Sequence, residues 1–450
     1  MKKIKIANAH GFLGDRQTAA KDLLTRAQDI DFITFDFLAE LSMSIMALEK
    51  KKGRPAYAKD FPSIIQSLVP FWNQGLNFKV VANAGGLDPK GCAEAVREAL
   101  QEASARPLNI AYILGDDVLE LLQTASDEEF PSLDRDETIA PYRERLVSAN
   151  AYIGSDAIKE ALDAGADIVV AGRVADPSLT VGPCLHAFQW SNTDLDKIAQ
   201  ATVAGHLIEC GTQVTGGIST KWLDIEDPTH MGFPIAVIHE DGLFSITKPE
   251  GTGGLVSVEI VKEQLLYEIG DPDLYISPDL TVSFTCIEAE ETAKNCVEVR
   301  GAKGRQPTDS YKVVATYQAG FRAEAMLVIF GDQAFRKGRK LGQVLLERVR
   351  EQGFEFDDAV IECLGSGEAA PGRKDFSVPE IVLRIAVRGS EDALQCFAKE
   401  IAPLVTSGPQ GVAGYASGRP KIRPVFQHYP TLISKEKVQT TIYFISSEGL

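Results

Sequence analysis

The chain has 450 residues, 44% hydrophobic and 24% charged; single cores stop growing at roughly 250 to 300 residues, so more than one domain is expected and disorder is not. Its formal charge of -17 is spread along the sequence, and the one short basic run, Lys50 to Lys52, reads as a solvated helix end. Nucleic acid and membrane are therefore not expected partners. Seven scattered cysteines without a close-spaced pair read as reduced thiols, and the start lacks a signal-peptide pattern, so a cytoplasmic location is expected.

In chain order, the first half repeats a short apolar run, a polar or Gly-containing turn and a segment of helical periodicity. Strands are predicted at Ile4 to Ala7, Phe32 to Phe37, Phe78 to Ala82, Ile110 to Leu114, Ser148 to Tyr152 and Ile168 to Ala171. Helices are predicted at Gln17 to Gln28, Phe61 to Gln74, Pro89 to Ala103, Asp116 to Ala125 and Ser155 to Ala164. This alternation is that of a parallel sheet covered by helices, and most of the strands lack a polar alternate face, as burial on both sides demands. After about residue 250 strand-like runs predominate, among them Cys296 to Arg300, Ala325 to Phe330 and Ile381 to Val387, with amphipathic helices near Phe335 to Glu351 and Glu391 to Leu404. The expected fold class is α/β: a parallel-sheet domain over residues 1–250, then a smaller α+β domain over 251–450 with a mostly antiparallel sheet.

Ligands of parallel α/β sheets bind outside the carboxyl ends of the strands. The residues just past each predicted strand are polar or small: Asn8 and His10; Asp36; Asn83, Gly85 and Gly86; Asp116; Asn150 and Tyr152; Arg173 and Asp176. One rim assembled from several loops is the expected site. Gly85 and Gly86 also suit a plain turn, and Asp88-Pro89 reads as a helix N-cap with proline at the first position. Asp36, between two phenylalanines, would be costly to bury unless paired or functional. Arg173 reads either as an ion-pair partner of Asp176 or as a fork for a substrate anion. His10 suits acid or base work near neutral pH, but also an ordinary turn.

Helical spacing places His206 and Glu209 on one face with Cys210 beside them, an arrangement open to nucleophilic or acid/base chemistry and equally to an inert buried thiol. Lys248 and Gly253 belong to a Gly-rich segment before a predicted helix, suited to an anion site or a hinge. No local zinc motif occurs. Magnesium or manganese held by Asp36, Asp116, Asp176 and Glu209 stays open.

The segments Asn83-Ala-Gly-Gly-Leu-Asp-Pro, Ala149-Asn-Ala-Tyr-Ile-Gly, Gly165-Ala-Asp-Ile-Val-Val-Ala-Gly-Arg-Val-Ala-Asp, Gly205-His-Leu-Ile-Glu-Cys-Gly and Gly251-Thr-Gly-Gly resemble the acyclic terpene utilisation protein A family over nearly the whole chain. The chain departs from the family pattern at Asp88, where members have Asn. The resemblance implies a catabolic lyase or hydratase step on a branched acyl-CoA or related hydroxy acid, with coenzyme A entering as part of the substrate. It also implies a small ferredoxin-like partner subunit, since the chain ends at Leu450 without the extra domain some members carry. It carries over no catalytic residues.

Together these readings predict a lyase, possessing no certain cofactor and self-associating into a homo-oligomer, that acts on a carboxylate-bearing hydroxy-acyl compound or acyl-CoA thioester. Acid or base duty falls to Asp36, His10 and Glu209, with Cys210 as a neighbouring nucleophile. Anion binding falls to Arg173 and Lys248, and orientation to Asn83, Asn150 and Asp116. The rivals are a non-catalytic binding subunit of a carboxylase-type assembly and a metal-dependent hydrolase or aldolase.

Overall fold

The computed structural model describes residues 2–126, 128–369, 372 and 375–447. The chain divides into two compact units, Met1–Thr316 with His428–Leu450, and Tyr317–Gln427.

In the first unit the strands β1 (Lys3–Asn8), β2 (Phe32–Phe35), β3 (Lys79–Ala82), β4 (Asn109–Leu114), β5 (Leu146–Ala151) and β6 (Ile168–Val170) alternate with helices. Five of them form a parallel core in the order β1-β2-β3-β6-β4. Ile33, Val80, Ile110 and Ile168 are fully buried within it, which explains why these strands read as unbroken apolar runs. Helix Pro89–Glu102 starts as its sequence predicts, with Pro89 at its first position and Asp88 accepting a hydrogen bond from the Gly91 amide at 2.9 Å.

Two expectations are corrected. The segment Ser148 to Tyr152 does not join the parallel sheet: β5 pairs instead with β14 (Ser310–Phe330). An apolar run specifies burial but not the neighbour that satisfies its backbone. Nor does the chain divide near residue 250. The strand Phe244–Thr247 before that point pairs with Cys296–Arg300 after it, extending the sheet antiparallel beyond β1, while Thr441–Ser446 closes the other edge against β4.

The second unit runs strand, helix, strand, strand, helix, strand: β14 from Tyr317 onward, helix Ala334–Glu351, β15 (Asp358–Leu364), β16 (Glu380–Gly389), helix Glu391–Glu400 and β17 (Val412–Tyr415). Its sheet order β15-β16-β14-β17 is antiparallel throughout, the ferredoxin-like βαββαβ arrangement. Period-two alternation sends Ala323, Ala325, Leu327 and Ile329, with Ile381, Leu383, Ile385 and Val387, into one core with Leu345 and Phe397 of the helices. The intervening positions face the other side of the sheet.

Candidate active site

Within the first unit the carboxyl ends of β2 and β6 meet the carboxyl end of helix Leu195–Glu209. Asn8, at the end of β1, holds that helix end in place: its side-chain amide donates to the carbonyls of Ile208 and Glu209, both at 2.7 Å, satisfying acceptors that a helix terminus leaves unpaired. Asp36, Asp176 and Glu209 consequently gather, each offering a carboxylate oxygen within 4.8 Å of the others.

Asp36 is buried and accepts from the Asn83 amide at 2.6 Å and from the Leu38 backbone N–H at 3.2 Å. Asn83 is fixed in turn, its carbonyl accepting from the Phe37 N–H at 2.7 Å. Burial, reinforced by Asp176, pushes the Asp36 carboxyl well above the usual range despite the opposing pull of Arg173.

Glu209 is also pushed well up, by burial and then by Asp176. Its Oε1 lies 3.2 Å from His206 Nδ1, and His206 Nε2 lies 3.0 Å from the Gln264 carbonyl. A carbonyl only accepts, so Nε2 carries a proton. Burial holds His206 down to about 4, and the neutral ring then has a lone pair at Nδ1. The pair is therefore a carboxylic acid donating to an imidazole. Glu209 Oε2 is buried without a partner.

Arg173 supplies the positive charge. Its Nη1 donates to the Leu38 carbonyl at 2.7 Å and to Asp176 at 3.0 Å, and its guanidinium carbon stacks 4.0 Å from the centre of the Tyr152 ring. Tyr152 donates its hydroxyl to Glu40 at 2.6 Å. Burial works against the Glu40 carboxylate, yet this bond, its own backbone N–H, Lys312 and Arg173 bring it down to about 2. Asp116 ties three loops together, accepting from Asn150 at 2.8 Å and from the Arg173 backbone N–H at 2.7 Å; burial raises it to about 6. Its oxygens lie only 2.5 and 2.6 Å from where a Cβ on Gly172 would stand, so glycine is required there.

The remaining predicted residues take other places. Gly85 lets its loop approach β6, for a Cβ there would lie 2.6 Å from the Ala171 carbonyl, and Gly86 follows in the left-handed region at φ 52°. His10 is buried against Phe37, ring centres 4.4 Å apart. Its Nδ1 donates to the Ala9 carbonyl at 3.0 Å, while Nε2 has no partner. Cys210 adjoins Glu209 on the helix end, and burial raises its thiol, the opposite of an activated nucleophile. Lys248 gives its ammonium to the Thr252 carbonyl at 2.6 Å, closing its own loop, where Gly253 packs against the Asp227 carbonyl.

Beside this cluster lies a cleft of about 190 Å³, lined by the predicted Tyr152 and Asp176 and by Tyr275, Ser277, Tyr311 and Lys312, which sequence reasoning missed. Asp176, its side chain 33% exposed, joins the buried cluster to the cleft. Lys312 comes from β14, with Nζ 3.4 Å from Glu40 and 4.7 Å from the centre of the Tyr152 ring. Ser277 Oγ is buried without a partner. No motif surrounds Lys312 or Tyr275; only the pairing of β5 with β14 and the small strand at Tyr275–Ile276 bring them here.

Among the described residues no helix is long and apolar enough to cross a membrane. No curated protein matches the chain. One solved structure, described as CPII bound to ADP and bicarbonate from Thiomonas intermedia K12, is similar at 11% identity over 28% of this chain and 97% of that one, with a TM-score of 0.13; so low a score carries no argument. The family model described as acyclic terpene utilisation family protein AtuA matches residues 4–444. With that match extending over both units and every residue of the carboxyl cluster, the chain belongs to the AtuA family of acyclic terpene utilisation proteins.

Proposed function

We propose that the protein is a lyase that moves a proton on a small carboxylate-bearing hydroxy compound or its acyl thioester, adding or removing water or cleaving a carbon-carbon bond. The observation that carries this reading is the meeting of Asp36, Asp176 and Glu209 around one buried arginine. Burial raises all three carboxyls above their ordinary values, the condition for carboxyl groups to serve as acid and base in one reaction. Asp176 reaches the cleft and is the base for a proton next to the substrate carbonyl. Asp36 and Glu209 are the proton store behind it, and Lys312 is the counter-charge for the substrate carboxylate. Arg173 binds Leu38 and Asp176 through Nη1 and so tunes the carboxyls, while its Nε, buried without a partner, keeps a donor for a substrate anion.

The test is incubation of the purified protein in D2O with a panel of hydroxy acids and hydroxyacyl-CoA thioesters, followed by NMR. Deuterium entering next to the carbonyl, or water lost from the substrate, is expected, with Asp176→Asn silent. Absence of both across the panel, or an undiminished Asp176→Asn, overturns the reading.

The same oxygen spacing favours a second reading, a hydrolase or aldolase holding magnesium or manganese between Asp36, Asp176 and Glu209. It requires Glu209 to give up the proton it shares with His206, so metal binding would release protons. Titration of the chelator-treated protein with either metal, followed by a pH indicator, decides: stoichiometric binding with proton release supports it, and no binding removes it.

A further inference from the structure

We infer that the open face of the second unit's sheet binds a small molecule carrying a di- or triphosphate group. That face holds a cleft of about 440 Å³, within the size range of small-molecule sites. Arg322 on β14 stands directly across from Arg388 on β16, and like charges so placed repel. Arg419, Lys421 and Arg423, from the segment after β17, line the same cleft.

Arg384 shows what a compensated arginine looks like here, since it is bound by Glu324 and Glu362. Arg322, Arg388, Arg419, Lys421 and Arg423 make no ion pair among the described residues. Among the described residues the acids in the lining are Glu324, already taken, and Asp358, which stands across from Arg388 on its β15 side, so five cations face one free carboxylate. This concentration of positive charge arises in a chain of net charge -17, where scattered lysines and arginines would otherwise be diluted by acids.

The chemistry of the set narrows the ligand. Guanidinium forks match phosphate oxygens in pairs. A single phosphate carries about -1.5 to -2 and would leave most of the charge unmatched, whereas a di- or triphosphate meets it. Among the described residues no aromatic side chain lines the cleft, so they offer no platform on which single-stranded nucleic acids could stack their bases.

The test is calorimetric titration of the full-length protein, at low ionic strength, with pyrophosphate, tripolyphosphate, inorganic phosphate and a short single-stranded oligonucleotide. One saturable site per chain is expected, with tripolyphosphate and pyrophosphate binding more tightly than phosphate and both weakening as salt is added. The double variant Arg322→Ala/Arg388→Ala should weaken pyrophosphate binding about tenfold or more. Arg419→Ala/Lys421→Ala, outside the sheet, should do the same with the melting temperature unchanged. No saturable binding of either polyphosphate, full affinity retained in both variants, or tighter binding of the oligonucleotide than of tripolyphosphate would each overturn the inference.

Discussion

Glu209 and His206 share one proton across 3.2 Å, and the direction of that bond is set by Gln264, whose carbonyl claims the other ring nitrogen of His206. A proton donor is thereby held in the interior of the first unit, where burial raises the Glu209 carboxyl. Glu209→Gln keeps a donor for His206 Nδ1 but removes the transferable proton. Turnover on any substrate found should fall about 100- to 10,000-fold, while the thermal melt moves little. A melt lowered as far as that of a core truncation would make Glu209 structural instead.

Stability should decline from mildly acidic to alkaline pH. Asp36, Asp116, Asp176 and Glu209 are all raised in the folded protein. Between its unfolded and folded values each must take up a proton for the chain to fold, so its contribution, fully present below the unfolded value, is lost as pH rises through the folded one. For Asp116 the window runs from 3.8 to about 6, at most about 3 kcal/mol. Urea unfolding of the wild type and Asp116→Asn between pH 4 and pH 8 checks the sign: the wild type should lose more stability across this range than the variant.

Glu40 runs the other way. Held down to about 2, it contributes stability above its ordinary value of 4.5 that disappears as pH falls toward 2. Tyr152→Phe removes the hydroxyl that donates to it while leaving a ring for Arg173 to stack on. The acid unfolding midpoint should move to higher pH, with a loss of about 1 to 3 kcal/mol near neutrality. An unmoved midpoint would show that Lys312 and the backbone suffice.

Gly172→Ala should be disproportionately harmful for one methyl group. The added carbon meets the Asp116 carboxylate at 2.5 Å, and this carboxylate anchors the Arg173 backbone and Asn150. A cost of about 1 to 3 kcal/mol is expected, readable by chemical denaturation, together with weakened turnover because Arg173 shifts. Stability equal to the wild type would mean that the Asp116 loop yields freely.

Much of this site was legible in the sequence, because the residues that follow buried strands must emerge at one end of a parallel sheet. Asp36, Asn83, Arg173 and Asp176 come together by that rule, and His206 with Glu209 by the turn of a helix. Lys312 and Tyr275 were not legible, since they arrive through pairing partners that local periodicity does not encode. The same limit explains β5, whose composition suits the central sheet although its backbone pairs with β14. The partition near residue 250 failed for a related reason: a change of texture marks where helices become fewer, yet β-strands on both sides of it belong to one sheet. Lys248 shows the converse, a cation whose promising setting is consumed by its own loop.

The strand Thr441–Ser446 lies along the edge of β4, yet a ribosome makes β4 long before it makes that strand. During the interval β4 presents a row of bare amides and carbonyls next to apolar side chains, an invitation to aggregate. A nascent chain stalled anywhere before Thr441 would therefore be a client for chaperones, and recombinant yield should depend on how quickly translation reaches the last sheet partner.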